Sequence, residues 1–247
     1  ILFELKQKSG LELINAKGGE KDNAIPSSAS AELLLGSGDK AALEEIIRDI
    51  TVKYKKREPN LKIELEEEGE KECFILTGKS LGRLIFLLLS VPDGMQKMSP
   101  EMEGLVETSL NLGIFETVDK EARLHYSLRS SVIGEKEFLS SRVRMILDSQ
   151  GAKGTENSEY PAWEYNSSSL LREKYKETFE KITGTAPKIT VIHAGVECGL
   201  FAKKCPDLDM ISIGPDMKDI HTPAERLDLA SSVRLYRVVE ALLPELR

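Results

Sequence analysis

Between residues 40 and 57 the apolar positions Leu43, Ile46, Ile47 and Ile50 fall at i, i+3, i+4 and i+7, which predicts a helix with one apolar stripe. Ahead of it, residues 11–17 and 27–35 alternate or run apolar and read as strands. Gly18-Gly19 ends the first of these, and Asp22-Asn23-Ala24-Ile25-Pro26 makes the turn between them. Short strands are predicted near 61–66 and 72–77, then a helix over 80–90 closed by Pro92-Asp93-Gly94, then a loop from Met95 to Gly104. Leu110, Leu112 and Ile114 alternate with Asn111 and Gly113. Ala122, Leu124, Tyr126 and Leu128 alternate with Arg123, His125, Ser127 and Arg129, which gives a hairpin with one apolar face and one polar face. A helix over 136–149 carries Leu139, Val143, Ile146 and Leu147 on one side. Strand–strand–helix units in this order predict an α+β sandwich.

The small, polar stretch Gly151 to Ser158 reads as the crossing to a second unit. Beyond it the order becomes helix (168–183), strand (188–192), short helix (197–203), strand (209–213) and long helix (223–243). Alternation of that kind predicts a parallel sheet in an α/β unit. Two strands do not make a parallel sheet covered on both faces, so further strands are expected from residues upstream of Ile1. Ile1 to Leu5 resembles the end of an amphipathic helix already under way, and the start reads as a truncation. The expected fold class is therefore α/β plus α+β, divided into residues 1–157 and 158–247.

Composition narrows the function. Of 247 residues, 40% are hydrophobic and 30% charged, as in a globular protein with an ordinary core. A net charge of −7 argues against sequence-independent nucleic-acid binding, which relies on clustered Lys and Arg. The apolar run Leu84 to Leu89 is too short to span a bilayer. The three cysteines, Cys73, Cys198 and Cys205, are too scattered for a disulfide framework, and a cytoplasmic, reducing setting is expected.

Four places invite a chemical reading. Thr222-Pro223-Ala224-Glu225 has the form of a capping box, which would hold His221 at the mouth of a long helix, near Gly214-Pro215. A surface-loop histidine is the competing reading. His193, Cys198, Cys205 and His221 lack the close pairs of a structural zinc site, so the two cysteines read as packed thiols and His193 as a backbone-positioning residue. Thr77-Gly78-Lys79-Ser80 imitates the end of a phosphate-binding loop, but Cys73 stands where that loop needs glycine. Arg129 is either part of a solvated edge or a guanidinium presented to a carboxylate, which it would bind bidentately.

Taken in order, the residues then resemble a family. They are Gly18-Gly19 with Asp22 to Pro26, Val106 to Gly113, Leu128-Arg129-Ser130, Tyr160 to Trp163, His193 to Phe201, and Ser212 to Pro215 through His221-Thr222-Pro223. The chain is similar to the C-terminal half of the bacterial aminoacylhistidine dipeptidases (Xaa-His or cytosolic non-specific dipeptidases). These belong with the zinc exopeptidases that include carnosinase and aminoacylase. The resemblance implies a catalytic α/β domain with two zinc ions and an inserted α+β lid, of which 1–157 would be lid and 158–247 the end of the catalytic domain. It further implies that His221 is a metal ligand, that Asn23 and Arg129 contact substrate from the lid, and that Gly195 offers backbone in the substrate pocket. The family's Gly-Pro-His-Ser-Pro stands here as Asp219-Ile220-His221-Thr222-Pro223, keeping the histidine and the hydroxyl.

The family's remaining metal ligands and its general base precede the lid and have no counterpart in these residues. The expectation is a dipeptide hydrolase whose complete form is active and whose 247-residue portion alone is not, with a homodimer through the lid. The alternatives are a non-catalytic scaffold for binding or dimerisation, and a peptidase or deacylase of the same fold with another specificity.

Overall fold

The computed structural model describes residues 1–36, 38–69, 72–118, 121–157, 161, 163–190, 197–220 and 222–246. The chain divides into two compact units. One comprises residues 1–97, 109–128 and 138–155, and the other comprises 98–108, 129–137 and 156–247.

In the first unit, helix α1 (Leu2–Lys8) leads into strand β1 (Glu12–Gly18), which pairs antiparallel with β2 (Ala29–Leu34) from Glu12↔Leu34 to Gly18↔Ala29, with an irregularity between Leu13 and Asn15. β1 also pairs antiparallel with β4 (Val106–Val118) through Lys17↔Glu116 and Gly18↔Phe115. Thr117 extends that ladder with its side chain, its Oγ1 accepting from the Ala16 amide at 2.8 Å. The sheet runs β2-β1-β4-β3, where β3 is Gly94–Met98, and β5 (Glu121–Ser130) also pairs with β4.

The apolar stripes meet this sheet as the periodicity requires. Leu43 and Ile46 of α2 (Asp39–Tyr54) are buried with Leu5, Leu11, Leu13 and Ala16, and Leu81, Leu84 and Ile85 of α3 (Gly78–Ser90) complete the cluster. A second cluster joins Leu87 and Val91 to Leu110 and to Leu139 of α4 (Ile133–Ser149), with Tyr126, Leu128, Val143, Ile146 and Leu147 packed on it. Thr77-Gly78-Lys79-Ser80 proves to be a helix start, because the Thr77 hydroxyl caps α3 by accepting from the Ser80 amide at 3.2 Å.

Two expectations for this unit need correction. Segments 61–66 and 72–77 form no strand among the described residues; the Leu76 amide donates to the Leu13 carbonyl at 2.8 Å and the Leu76 side chain packs on the first cluster. Leu61, Leu65, Phe74 and Ile75 are exposed, and only Ile63, Cys73 and Leu76 are half-buried, too little to impose a ladder. The supposed loop Met95–Gly104 begins instead as β3, whose pairing is carried by backbone and needs no apolar alternation.

The second unit centres on Tyr175, Val238 and Leu242, where α5 (Leu170–Thr183) and α7 (Leu229–Leu242) pack with Ile211 against them. Helix α6 (Glu197–Lys204) lies where the pattern predicts one. The expected strand 209–213 is irregular, as are residues 188–190 of the expected strand 188–192; residues 191–192 lie outside those described. The described residues offer Asp209–Ile213 no ladder partner, and Asp209 is engaged elsewhere. Its carboxylate accepts from the Leu171 amide at 2.9 Å and so serves the start of α5.

The long helix starts at Leu229, not at 223, because its N-cap is Asp228, which accepts from the Ser231 amide at 3.0 Å. Thr222 is spent in a turn: it donates to the Asp219 carbonyl at 2.7 Å and accepts from the Ala224 amide at 3.2 Å. Residues on either side form a two-stranded ribbon, β6 (Met217–Lys218) with β7 (Arg226–Leu227).

Asp228→Ala should therefore destabilise the chain by about 1 kcal/mol in urea unfolding, whereas Thr222→Ala should leave the helix start intact. A larger loss of helical signal from Thr222→Ala than from Asp228→Ala would restore the capping box.

Candidate functional site

Of the four residues implied by the resemblance, the structure describes two, and they fall in different units. Asn23 lies in the exposed turn between β1 and β2; Arg129 lies near the end of β5. Gly195 and His221 lie outside the described residues, as does His193.

The Asn23 turn has little internal support. Among the described residues two backbone bonds close it, Gly19 amide to Ser28 carbonyl at 3.2 Å and Ala24 amide to Lys21 carbonyl at 3.4 Å, and Ile25 is 87% exposed. Support comes instead from β4. A Cβ built on Gly19 would stand 1.8 Å from the Gly113 carbonyl oxygen, and one on Gly113 would stand 2.2 Å from that of Asp22. Only glycine permits backbones this close, and Gly19 also adopts the left-handed φ of 72°. Beside this contact the Asn111 amide donates to the Ala24 carbonyl at 2.9 Å and, more distantly, to that of Asp22 at 3.4 Å. The next amide along, Leu112, donates to the Asp93 carboxylate at 2.7 Å. Gly19, Asn111 and Gly113 all fall within the family-like residues, but no local pattern in the sequence shows that they meet at Asn23.

Asp93 also acts at a distance. Burial, and secondarily the Asp93 charge, push the Tyr126 phenol up to about 12. Tyr126 is thus a neutral donor or acceptor at ordinary pH, packed on the second cluster.

Arg129 belongs to the polar stripe Arg123, His125, Ser127, Arg129, along which exposure decreases. Arg123 and His125 are exposed, while Ser127 and Arg129 are half-buried. Arg123 pairs with the exposed Glu121 at 3.6 Å and fits the solvated edge. The backbone around Arg129 is fixed by its neighbours. The Ser130 hydroxyl lies 2.9 Å from that of Thr108, which is 1% exposed, and the Ser131 amide donates to the Glu107 carbonyl at 3.2 Å. A half-buried guanidinium on fixed backbone loses less freedom on gripping a carboxylate than a free surface one does.

Around position 221 the described residues make a tight ribbon tip. Asp219 has a left-handed φ of 54°, and Arg226 makes an ion pair with its carboxylate. At the base, the Asp228 amide donates to the Asp216 carbonyl at 3.0 Å and the Asp216 amide to the Ser231 hydroxyl at 2.8 Å, tying the ribbon to α7.

The cysteines divide. Cys198 is half-buried, and burial pushes its thiol up, against its own backbone amide, with Glu197 adding to the rise. That suits a packed thiol. Cys205 is exposed, which corrects the expectation that both are packed. Burial also pushes the Asp209 carboxyl up, but hydrogen bonds from Ser169, the Leu171 amide, Asn166 and the Leu170 amide outweigh it and hold the group below the usual range.

Among the described residues no group of three or more His, Cys, Asp or Glu could hold a metal ion. No helix among them is long and apolar enough to cross a membrane.

Comparison with known proteins completes the picture. The model of the family described as Peptidase family M20/M25/M40 matches residues 12–245. The chain is 31% identical over 240 residues to the protein of Escherichia coli (strain K12) named Cytosol non-specific dipeptidase, a match covering 96% of the chain and 49% of that protein. Among solved structures it is similar to aminoacylhistidine dipeptidase from Vibrio alginolyticus, at 30% identity and a TM-score of 0.86, covering 97% of the chain and 49% of that one. The chain spans about half the length of the relatives it matches.

Two outcomes are expected from this geometry. Gly113→Ala should destabilise the first unit by about 1–3 kcal/mol, the cost of forcing apart packed backbone, as read by denaturant unfolding. For Tyr126, a raised folded-state pKa means that stability present below the unfolded value of 10.0 is lost as pH rises toward about 12. The drop in unfolding midpoint across that window should shrink in Tyr126→Phe, and the last tyrosinate absorbance to appear should vanish.

Proposed function

The chain belongs to peptidase family M20/M25/M40, with a mixed α/β fold, and from that premise we propose that it is the lid-bearing, C-terminal portion of a zinc-dependent dipeptidase. In this reading residues 1–157 are lid and 158–247 close the catalytic domain. The reaction is hydrolysis of dipeptides, Xaa-His and related, in the cytoplasm, by a complete enzyme about twice this length, as its relatives are. A homodimer through the lid belongs to the same reading. The observation that carries the proposal is the match over nearly the whole chain to two dipeptidases, one by sequence and one by structure.

Each residue then has a stated task. Arg129 grips the substrate's terminal carboxylate with its two-pronged guanidinium, and the partly covered setting of the strand end strengthens that pair. Asn23 contacts substrate from the turn that β4 supports, and Gly195 lends backbone to the pocket. His221 ligates one of two zinc ions, whose chemistry when bound is to polarise the scissile carbonyl and lower the pKa of water. In this reading the other ligands and the general base lie in the remainder of the complete enzyme, since the chain spans about half of its relatives' length.

Three measurements test the reading. In the complete enzyme, Arg129→Lys should reduce kcat/KM by roughly tenfold or more, since a point charge does not replace a bidentate fork. Unchanged kinetics would return Arg129 to the solvated edge. His221→Ala should remove most activity and weaken one zinc while preserving the fold. The 247-residue chain alone should hydrolyse no dipeptide and bind zinc weakly in calorimetry. Tight binding of two zinc ions by this chain alone would defeat the assignment, and equal activity on dipeptides with and without C-terminal histidine would broaden the substrate class.

A further inference from the structure

We infer that Asn111 is a positioning residue for catalysis, acting through Asn23. The side-chain amide of Asn111 reaches from β4 to the two carbonyls that flank Asn23, at 2.9 Å to Ala24 and 3.4 Å to Asp22. Both partners are acceptors only, so the amide nitrogen, with its two N–H donors, is the group that must face them. The turn itself supplies little near Asn23: one bond closes its base, Gly19 amide to Ser28 carbonyl at 3.2 Å, the bond from Ala24 to Lys21 is 3.4 Å long, and residues 20–28 are exposed throughout.

Two contacts from β4 therefore fix the turn. Asn111 holds the backbone on either side of Asn23, and Gly113 seats against Asp22 and Gly19. The Leu112 amide, bonded to Asp93, keeps the strand between them in register. Asparagine is a poor strand former, so a half-buried Asn inside a thirteen-residue strand (Val106–Val118) is better explained by its side-chain contacts than by strand propensity. Its amide leaves the Asn23 side chain free to point outward from a fixed origin. This inference rests on the proposal that Asn23 contacts substrate. It adds the residue that sets where that contact is made.

The test uses the complete encoded polypeptide, a dipeptide with C-terminal histidine as substrate, and the variants Asn23→Ala, Asn111→Ala, Asn111→Asp, Asn111→Gln and the double alanine variant. A displaced contact costs on the order of ten- to a hundredfold in rate, so Asn111→Ala should lower kcat/KM by about that factor with little change in melting temperature. The double variant should fall no further than Asn23→Ala, because Asn111 acts through that residue. Asn111→Asp, which sets carboxylate oxygens against two carbonyls, should be worse than Asn111→Ala, and Asn111→Gln, which keeps both donors, should recover part of the loss. Independently of activity, the Gly19 and Ala24 amide hydrogens, which close the turn, should exchange faster in Asn111→Ala while those of the core clusters do not.

Normal kcat/KM in Asn111→Ala beside an impaired Asn23→Ala would overturn the positioning role and leave the Asn23 contact standing. Additive losses in the double variant would overturn it as well. Normal kcat/KM in Asn23→Ala would overturn the substrate contact and the inference with it. Should Asn111→Ala fail to fold, Asn111→Gln and the exchange of the Gly19 and Ala24 amides decide, since unchanged exchange there would refute the clamp.

Discussion

The close approach of two backbone segments at Gly19 and Gly113 is the constraint on which the first unit is built. With less than the width of a side chain between them, the β1–β2 turn must lie against β4, and the strand order β2-β1-β4 follows. Everything that packs on the sheet, from Leu13 and Ile46 on one cluster to Leu110 and Leu139 on the other, assumes that spacing. The polar groups nearby are arranged to suit. Thr117 completes the ladder on one flank of the contact and Asn111 saturates carbonyls on the other, so the turn is bound to the strand without apolar cover.

The second unit is organised differently, by carboxylates that satisfy helix starts. Asp228 caps α7 from within the chain's local sequence, whereas Asp209 serves α5 from a distant segment. In both cases an anion sits where unpaired amides and the helix dipole favour it. The lowered pKa of Asp209 is the electrostatic trace of that role. Residues 210–213, apolar enough to pass for a buried strand, follow this carboxylate and have no ladder partner among the described residues.

The parts legible in sequence were those governed by a period. The stripe Leu43, Ile46, Ile47, Ile50 and the stripe on α4 were read correctly because burial on one face imposes the spacing. The 110–128 hairpin was legible for the same reason. What escaped was decided by partners far along the chain. β3 is held by its neighbour's backbone, and Thr222-Pro223-Ala224-Glu225 satisfies the form of a capping box while the Asp219 carbonyl and the Ala224 amide take the Thr222 hydroxyl and a short ribbon follows. At the candidate site, motif resemblance named Asn23 and Arg129, but no local pattern says that Asn111 reaches the carbonyls on both sides of Asn23. A strand asparagine has no periodic signature; its meaning is the pair of acceptors it meets.

The two units are interleaved along the chain, which passes between them at 97/98, 108/109, 128/129, 137/138 and 155/156. A protease cutting once near residue 155 would release no intact second unit, because residues 98–108 and 129–137 would leave with the first. Gene dissection meets the same obstacle. Expressing 156–247 alone strips away the Glu107 carbonyl and the Thr108 hydroxyl, along with the Ser130 and Ser131 groups they bond. The hairpin is thus a shared possession of both units, and a lesion in it should be felt by each.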